Sequence, residues 1–196
     1  MEQELHVWNV TEQLLQNRVV KIYGEIDNKL ATEVTALLDV LSYDDAETPI
    51  KLELCGPGGS VLDGLAICSK IKEIPNPVVA FCTGYCASMY TAIMACCDYV
   101  YASEFASIMI HEMSSGVQGK FRELKNQIKF DEDLNTRLME IIGKKCNKPA
   151  DQIMADAVYD HWMTAKEAIE YGLVDAITPY AKKDEKSLNE FIKLIK

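Results

Sequence analysis

The chain has 196 residues, of which 48% are apolar and 26% charged. That length holds one ordinary domain with a sizeable core, and that mix is globular rather than disordered or fibrous. A formal net charge of -10 at pH 7 argues against general binding to nucleic acid or anionic membranes, and no apolar run is long enough to span a bilayer.

Residues 18–23 (RVVKIY) read as a strand closed by Gly24. Residues 28–41 carry apolar side chains at Leu30, Val34, Leu37, Leu38 and Leu41, which is helical spacing. Residues 50–55 (IKLELC) alternate as a strand and run into Gly56-Pro57-Gly58-Gly59, a strong turn signal. Ser60 then opens a helix to about Ile74, which Pro75 and Pro77 end before a strand at residues 78–82 (VVAFC). A small-residue turn, Gly84-Tyr85-Cys86-Ala87-Ser88, leads into an apolar helix over residues 89–96. Short strands are predicted at 99–101 and 107–110.

Residues 120–144 are rich in charge, with apolar positions at Phe121, Leu124, Ile128, Leu134, Leu138 and Ile141. This is a long amphipathic helix, suited equally to packing on its own domain or to projecting onto another subunit. Thr164-x-x-Glu167 is a capping box opening a short helix that stops at Gly172, and residues 173–177 form a last strand. Residues 187–196 (SLNEFIKLIK) are a weakly amphipathic tail of the kind that frays. With no linker or repeat, the strand–helix alternation predicts a single α/β domain with a largely parallel sheet.

The cysteine number, 7, is odd, and most of these residues lie inside apolar runs. Met1-Glu2-Gln3-Glu4 is acidic, unlike a secretory signal. Buried free thiols in a reducing, cytoplasmic setting are expected. No Cys or His cluster has zinc spacing, so neither a metal nor a cofactor is expected.

Ser88 sits where a strand turns sharply into a helix, a place where a serine can be exposed to substrate. A serine needs a base to take its proton as it attacks. Of the 3 histidines, His6, His111 and His161, only His111 closes a predicted strand, where open α/β sheets build their sites. A histidine base needs a carboxylate to fix its tautomer, and Asp160, Asp98, Asp156 and Asp175 are all candidates. An oxyanion needs preorganised N–H donors. Met89 N–H at a helix start and the Gly58-Gly59 backbone can supply them. Each signal alone is weak, because a Gly-rich turn is most often only a turn and a lone histidine most often only structural.

In order along the chain, these residues resemble the proteolytic subunit of the Clp protease, a serine peptidase family. The family's Asn-Ser-Pro-Gly-Gly-Ser-Val turn is matched by Cys55-Gly56-Pro57-Gly58-Gly59-Ser60-Val61. Its Gly-Gln-Ala-Ala-Ser-Met is matched by Gly84-Tyr85-Cys86-Ala87-Ser88-Met89, and its Met-Ile-His-Gln-Pro by Met109-Ile110-His111-Glu112-Met113. The acid region, Asp-Arg-Asp-x-Phe in the family, is Val158-Tyr159-Asp160-His161-Trp162 here, followed by Glu167-Ala168-Ile169-Glu170-Tyr171-Gly172-Leu173-Val174-Asp175.

The resemblance implies Ser88 as nucleophile, His111 as base and Asp160 as orienting acid. Gly59 and Met89 would donate the oxyanion-hole N–H groups, and Ser60, Val61 and Ser114 would contact substrate. It implies a crotonase-like Clp-protease fold, with a head at about 8–118 and 145–178, a handle helix at about 120–144 and a tail at about 179–196. It also implies heptameric rings stacked as a tetradecamer, an AAA+ unfoldase of the ClpX, ClpA or ClpC type as partner, and unfolded polypeptides as substrates, with no nucleic acid or membrane involved. Met113 replaces the family's proline and Val158-Tyr159 replace its Asp-Arg, and set against the family the N-terminal stretch expected to contact the unfoldase is short. Two other readings are a non-catalytic ring subunit and a crotonase-type acyl-CoA enzyme.

Overall fold

The computed structural model describes residues 10–179. Helix α1 (Val10–Gln16) precedes strand β1 (Val19–Ile26), helix α2 (Asn28–Asp44), strand β2 (Ile50–Gly59) and helix α3 (Val61–Glu73). Strand β3 (Val78–Ala87), helix α4 (Met89–Cys96), and strands β4 (Tyr99–Ala102) and β5 (Ser107–Ile110) follow. The long helix α5 (Phe121–Cys146) leads to α6 (Ala150–Asp156), β6 (His161–Thr164), α7 (Ala165–Tyr171) and β7 (Ala176–Ile177).

The predicted α/β class holds. Strands β1, β2, β3, β4 and β7 pair in that order, all in parallel. Apolar side chains from alternate positions, Val20, Ile22, Leu52, Leu54, Ala80 and Cys82, are buried on one face. Val34, Leu38, Ile67 and Ile71 of α2 and α3 belong to the same core. Helix α4 is buried on nearly every side, which is why its sequence is apolar throughout rather than striped. Most of the opposite strand positions are polar or aromatic. Glu53 lies between Lys21 and Lys51, and Phe81 stacks on Tyr101 with ring centres 5.0 Å apart. Two-sided burial is usual for parallel strands, so this alternation marks a face not covered by helices among the described residues.

Several glycines predicted as breaks are instead extended strand. Gly24 does not close β1, which continues to Ile26. Gly56 to Gly59 form no turn: a register shift passes through them, after which Gly58 and Gly59 pair with Glu25 and Ile26. A Cβ on Gly56 would run into Tyr90, and one on Gly59 into the Ile26 backbone, so close approach explains these glycines better than turning does. Residues 84–87 are likewise strand, leaving Ser88 alone as the turn.

Strand β3 is long enough to change neighbours. Its first half pairs with β4 and its last residues, Tyr85 to Ala87, with β5. Strand β6, absent from the sequence reading, runs antiparallel to β5. Helix α6 was also not predicted, and the final strand covers only Ala176–Ile177, because the N–H groups of Leu173 and Val174 donate to Ala168 O at the end of α7 instead of to a strand. The capping box on α7 forms as expected: the Glu167 carboxylate accepts from Thr164 N–H at 2.8 Å, and Gly172 ends the helix at φ 95°. Of the two options for the long helix, packing on its own domain is seen over part of its length. Its C-terminal half buries Leu134, Leu138, Met139 and Ile142, while Phe121, Ile128 and Phe130 in its first half are exposed. The predicted tail at residues 187–196 lies outside the described residues, as does His6.

Candidate active site

Ser88 lies between β3 and α4 at φ 56°, ψ −122°, a conformation that L residues rarely adopt. Such strain persists only where neighbours enforce it. Here the Ser88 N–H donates to Met109 O at 2.8 Å. The Ser88 carbonyl accepts from Thr91 N–H at 2.9 Å and from the Thr91 hydroxyl at 2.6 Å. Thr91, fully buried and not singled out from sequence, is thus the residue that secures the bend. The result is a serine elbow at the carboxyl end of a strand.

Strand register then brings in the histidine. Ala87 pairs with Met109 in the parallel β3–β5 ladder, so the chain ends that follow, Ser88 and His111, converge. His111 Nε2 lies 2.7 Å from Ser88 Oγ. Strand β6 brings in the acid: Ile110 pairs with His161, so the residues just beyond that pair, His111 and Asp160, oppose one another. His111 Nδ1 is 3.5 Å from Asp160 Oδ1. The histidine side chain is 24% exposed and the aspartate 62%, so the serine end of this array is the drier one.

The other candidate acids have structural work. Asp98 accepts from Val78 N–H at 2.7 Å. Asp175 accepts from Val100 N–H and pairs with Lys145, both at 2.7 Å. Asp156 accepts from the Tyr171 hydroxyl at 2.8 Å. His161 packs its ring 5.7 Å from that of Tyr171 instead of facing Ser88.

Ser88 and His111 open into a cavity of about 430 Å³ between the Gly58-Gly59 backbone, α4 and α5. Of the residues predicted to hold substrate or oxyanion, Gly59, Met89, Val61 and Ser114 line it. Ser60 does not; its side chain caps α3, accepting from Asp63 N–H at 3.4 Å. Met89 begins α4, and its side chain is core, packed where any Cβ on Gly64 would collide with it. Gly58 is the residue that sequence reasoning undervalued. A Cβ there would sit 2.6 Å from Ser88 Cβ and 3.0 Å from its Oγ. The Pro-Gly-Gly run was visible, but only the fold shows that its first glycine faces the serine. Leu138, Met139 and Ile142 of α5 make the cavity's apolar wall.

The arrangement can move a proton from Ser88 Oγ to His111 and expose the resulting nucleophile to a ligand in the cavity. Among the described residues no group of His, Cys, Asp and Glu side chains is arranged to hold a metal, and no helix is long and apolar enough to cross a membrane.

The family model of the Clp protease matches residues 2–181. The chain is 35% identical over 170 residues to the ATP-dependent Clp protease proteolytic subunit 2 of Tropheryma whipplei (strain Twist), covering 86% of this chain and 94% of that one. It is 31% identical over 171 residues to the ATP-dependent Clp protease proteolytic subunit 1 of Leifsonia xyli subsp. xyli (strain CTCB07), covering 86% and 87%. Matches of that extent, on a chain whose sheet carries a serine elbow with a histidine in contact, show that this protein belongs to the Clp protease family of serine-type peptidases.

Proposed function

We propose that this subunit cleaves peptide bonds through an acyl-enzyme on Ser88. The 2.7 Å approach of His111 Nε2 to Ser88 Oγ carries the reading. His111 takes the hydroxyl proton as Oγ attacks the carbonyl carbon, and Asp160 on the far nitrogen steadies the imidazolium. The N–H groups of Met89 and Gly59 receive the oxyanion, Met89 aided by the dipole of α4. His111 then protonates the leaving amine, and water, activated by the same base, releases the acyl group.

The substrate lies extended along Gly59, Val61 and Ser114 and pairs chiefly by main chain, so selectivity among side chains is loose. Ser60 supports this edge as the cap of α3. The subunits assemble as heptameric rings stacked into a tetradecamer through α5, whose exposed Phe121, Ile128 and Phe130 support an intersubunit role. The word ATP-dependent in both relatives' names supports an AAA+ unfoldase that delivers unfolded polypeptides, and the acidic N-terminus and the unpaired thiols fit work in the cytoplasm.

A fluorophosphonate probe applied to the purified protein, with native mass spectrometry in parallel, tests the reading. Labelling of wild type and none of Ser88→Ala is expected. An assembled, folded wild type that stays unlabelled defeats it, and equal labelling of the variant removes Ser88 as nucleophile.

A further inference from the structure

A second cavity, of about 580 Å³, lies between α3, the end of α4 and the C-terminal part of α5. Cys68 of α3 and Cys96 and Cys97 at the end of α4 line it, with Lys72, Lys144 and Lys145 around them. The Ser88 machinery uses none of these groups.

The three thiols are not equivalent. Cys68 and Cys96 line the same cavity from helices α3 and α4, and their interaction raises the Cys68 thiol above the ordinary value and lowers that of Cys96. Burial opposes the lowering at Cys96, while Lys72 and Lys144 reinforce it. Cys97 donates to Ile93 O at 3.3 Å, and burial pushes it upward. The thiols of Cys68 and Cys96, the latter the more acidic, thus share one space that admits a small oxidant. This is the arrangement of an attacking and a resolving thiol.

We propose that Cys68 and Cys96 are a thiol modification site, oxidised by hydrogen peroxide to an intrachain disulfide that joins α3 to α4. The Cys96 sulfur attacks a peroxide oxygen, the O–O bond breaks, and the departing hydroxide takes up a proton to leave as water, giving a sulfenic acid. The Cys68 sulfur displaces the sulfenic hydroxyl, which leaves with the Cys68 proton as a second water. Two thiols are oxidised and one peroxide is reduced. Helix α3 starts at the Ser60 cap and α4 starts beside Ser88, so the bridge ties the middle of α3 to the last residue of α4, two helices that begin at the active-site cavity. The proposal is independent of whether Ser88 is the nucleophile.

The test uses the folded wild-type protein. It is exposed to hydrogen peroxide, its remaining thiols are blocked under denaturing conditions, and its peptides are mapped by mass spectrometry. A Cys68–Cys96 linked peptide, lighter by two hydrogen atoms and released by dithiothreitol, is expected. Brief alkylation of the untreated protein should modify Cys96 about tenfold faster than Cys97. In Cys68→Ser, Cys96 should stop at a sulfenic acid that dimedone traps. Wild type in which both thiols remain open to alkylation after peroxide, or in which Cys96 links to Cys97 instead, overturns the proposal.

Discussion

His111 and Asp160 face each other one step beyond the last residue pair of the antiparallel β5–β6 ladder, with Nδ1 and Oδ1 3.5 Å apart. The acid is therefore aimed by strand register, while the serine is aimed by a strained bend. The two differ in exposure, and that sets how much each contributes. Ser88→Ala should lower peptide hydrolysis by roughly 10³-fold or more, and Asp160→Asn by roughly 10²- to 10⁴-fold. A fluorogenic peptide assay on variants with unchanged circular dichroism measures both. An Asp160→Asn rate equal to wild type would remove the acid from the mechanism.

Gly58 touches the serine directly. Its φ of 107° already disfavours an L side chain, and a Cβ would press on Ser88 Cβ and Oγ. Gly58→Ala should abolish fluorophosphonate labelling, with a stability cost of about 1–3 kcal/mol. Labelling kinetics and urea denaturation on the same samples separate the two effects.

Tyr90 crosses the core to donate its hydroxyl hydrogen to Gly24 O at 2.8 Å, pinning the part of β1 that runs beside Gly56. Burial pushes its pKa upward, so it stays a neutral donor across the working range. Tyr90→Phe leaves that carbonyl without this donor and should cost about 1 kcal/mol in urea unfolding. Its labelling rate should stay within a few-fold of wild type.

Asp156 provides a pH signature. Burial by itself would raise its pKa, but hydrogen bonds from Tyr171 and Gln152 outweigh it, and the folded value lies below the ordinary 3.8. A group whose folded pKa is depressed stabilises the fold above its unfolded pKa and loses that contribution as pH falls through the folded value. Asp156→Asn should thus be less stable than wild type at pH 7, by about 1 kcal/mol. The gap should close as pH drops below 3.8. Thermal melts from pH 7 to pH 3 would show it; a gap that stays constant removes the carboxylate as its source.

The exposed half of α5 tests assembly. Ile128→Glu places a charge on the exposed surface proposed to meet another subunit and should weaken association at least about tenfold. Native mass spectrometry across a dilution series reads this directly, and circular dichroism should remain unchanged because Ile128 does not belong to the core.

Much of the site was legible because its residues punctuate secondary structure. Ser88 closes an apolar strand and precedes an apolar helix, and His111 closes a short strand; both are local patterns. Asp160 could not be separated from Asp98, Asp156 and Asp175 by the same means. Each of those lies near an element boundary too, and only the hydrogen bonds they make to Val78, Tyr171 and Val100 show that they are occupied elsewhere. Strand β6 was missed because His161–Thr164 is too short and mixed to show a period.

By itself, the sequence determined the alternation of strands and helices, the apolar character of α4, the capping of α7 and the positions of Ser88 and His111 at strand ends. These are decided within a few residues, by periodicity, capping and turn chemistry. The tertiary structure decided what the glycines are for, which aspartate is free, and which histidine meets the serine. Those depend on contacts between residues far apart in the chain. Gly58 lies against Ser88 because β2 and β3 pair, and Asp160 opposes His111 because β6 runs back along β5. No local pattern encodes a register between strands that chain topology brings together.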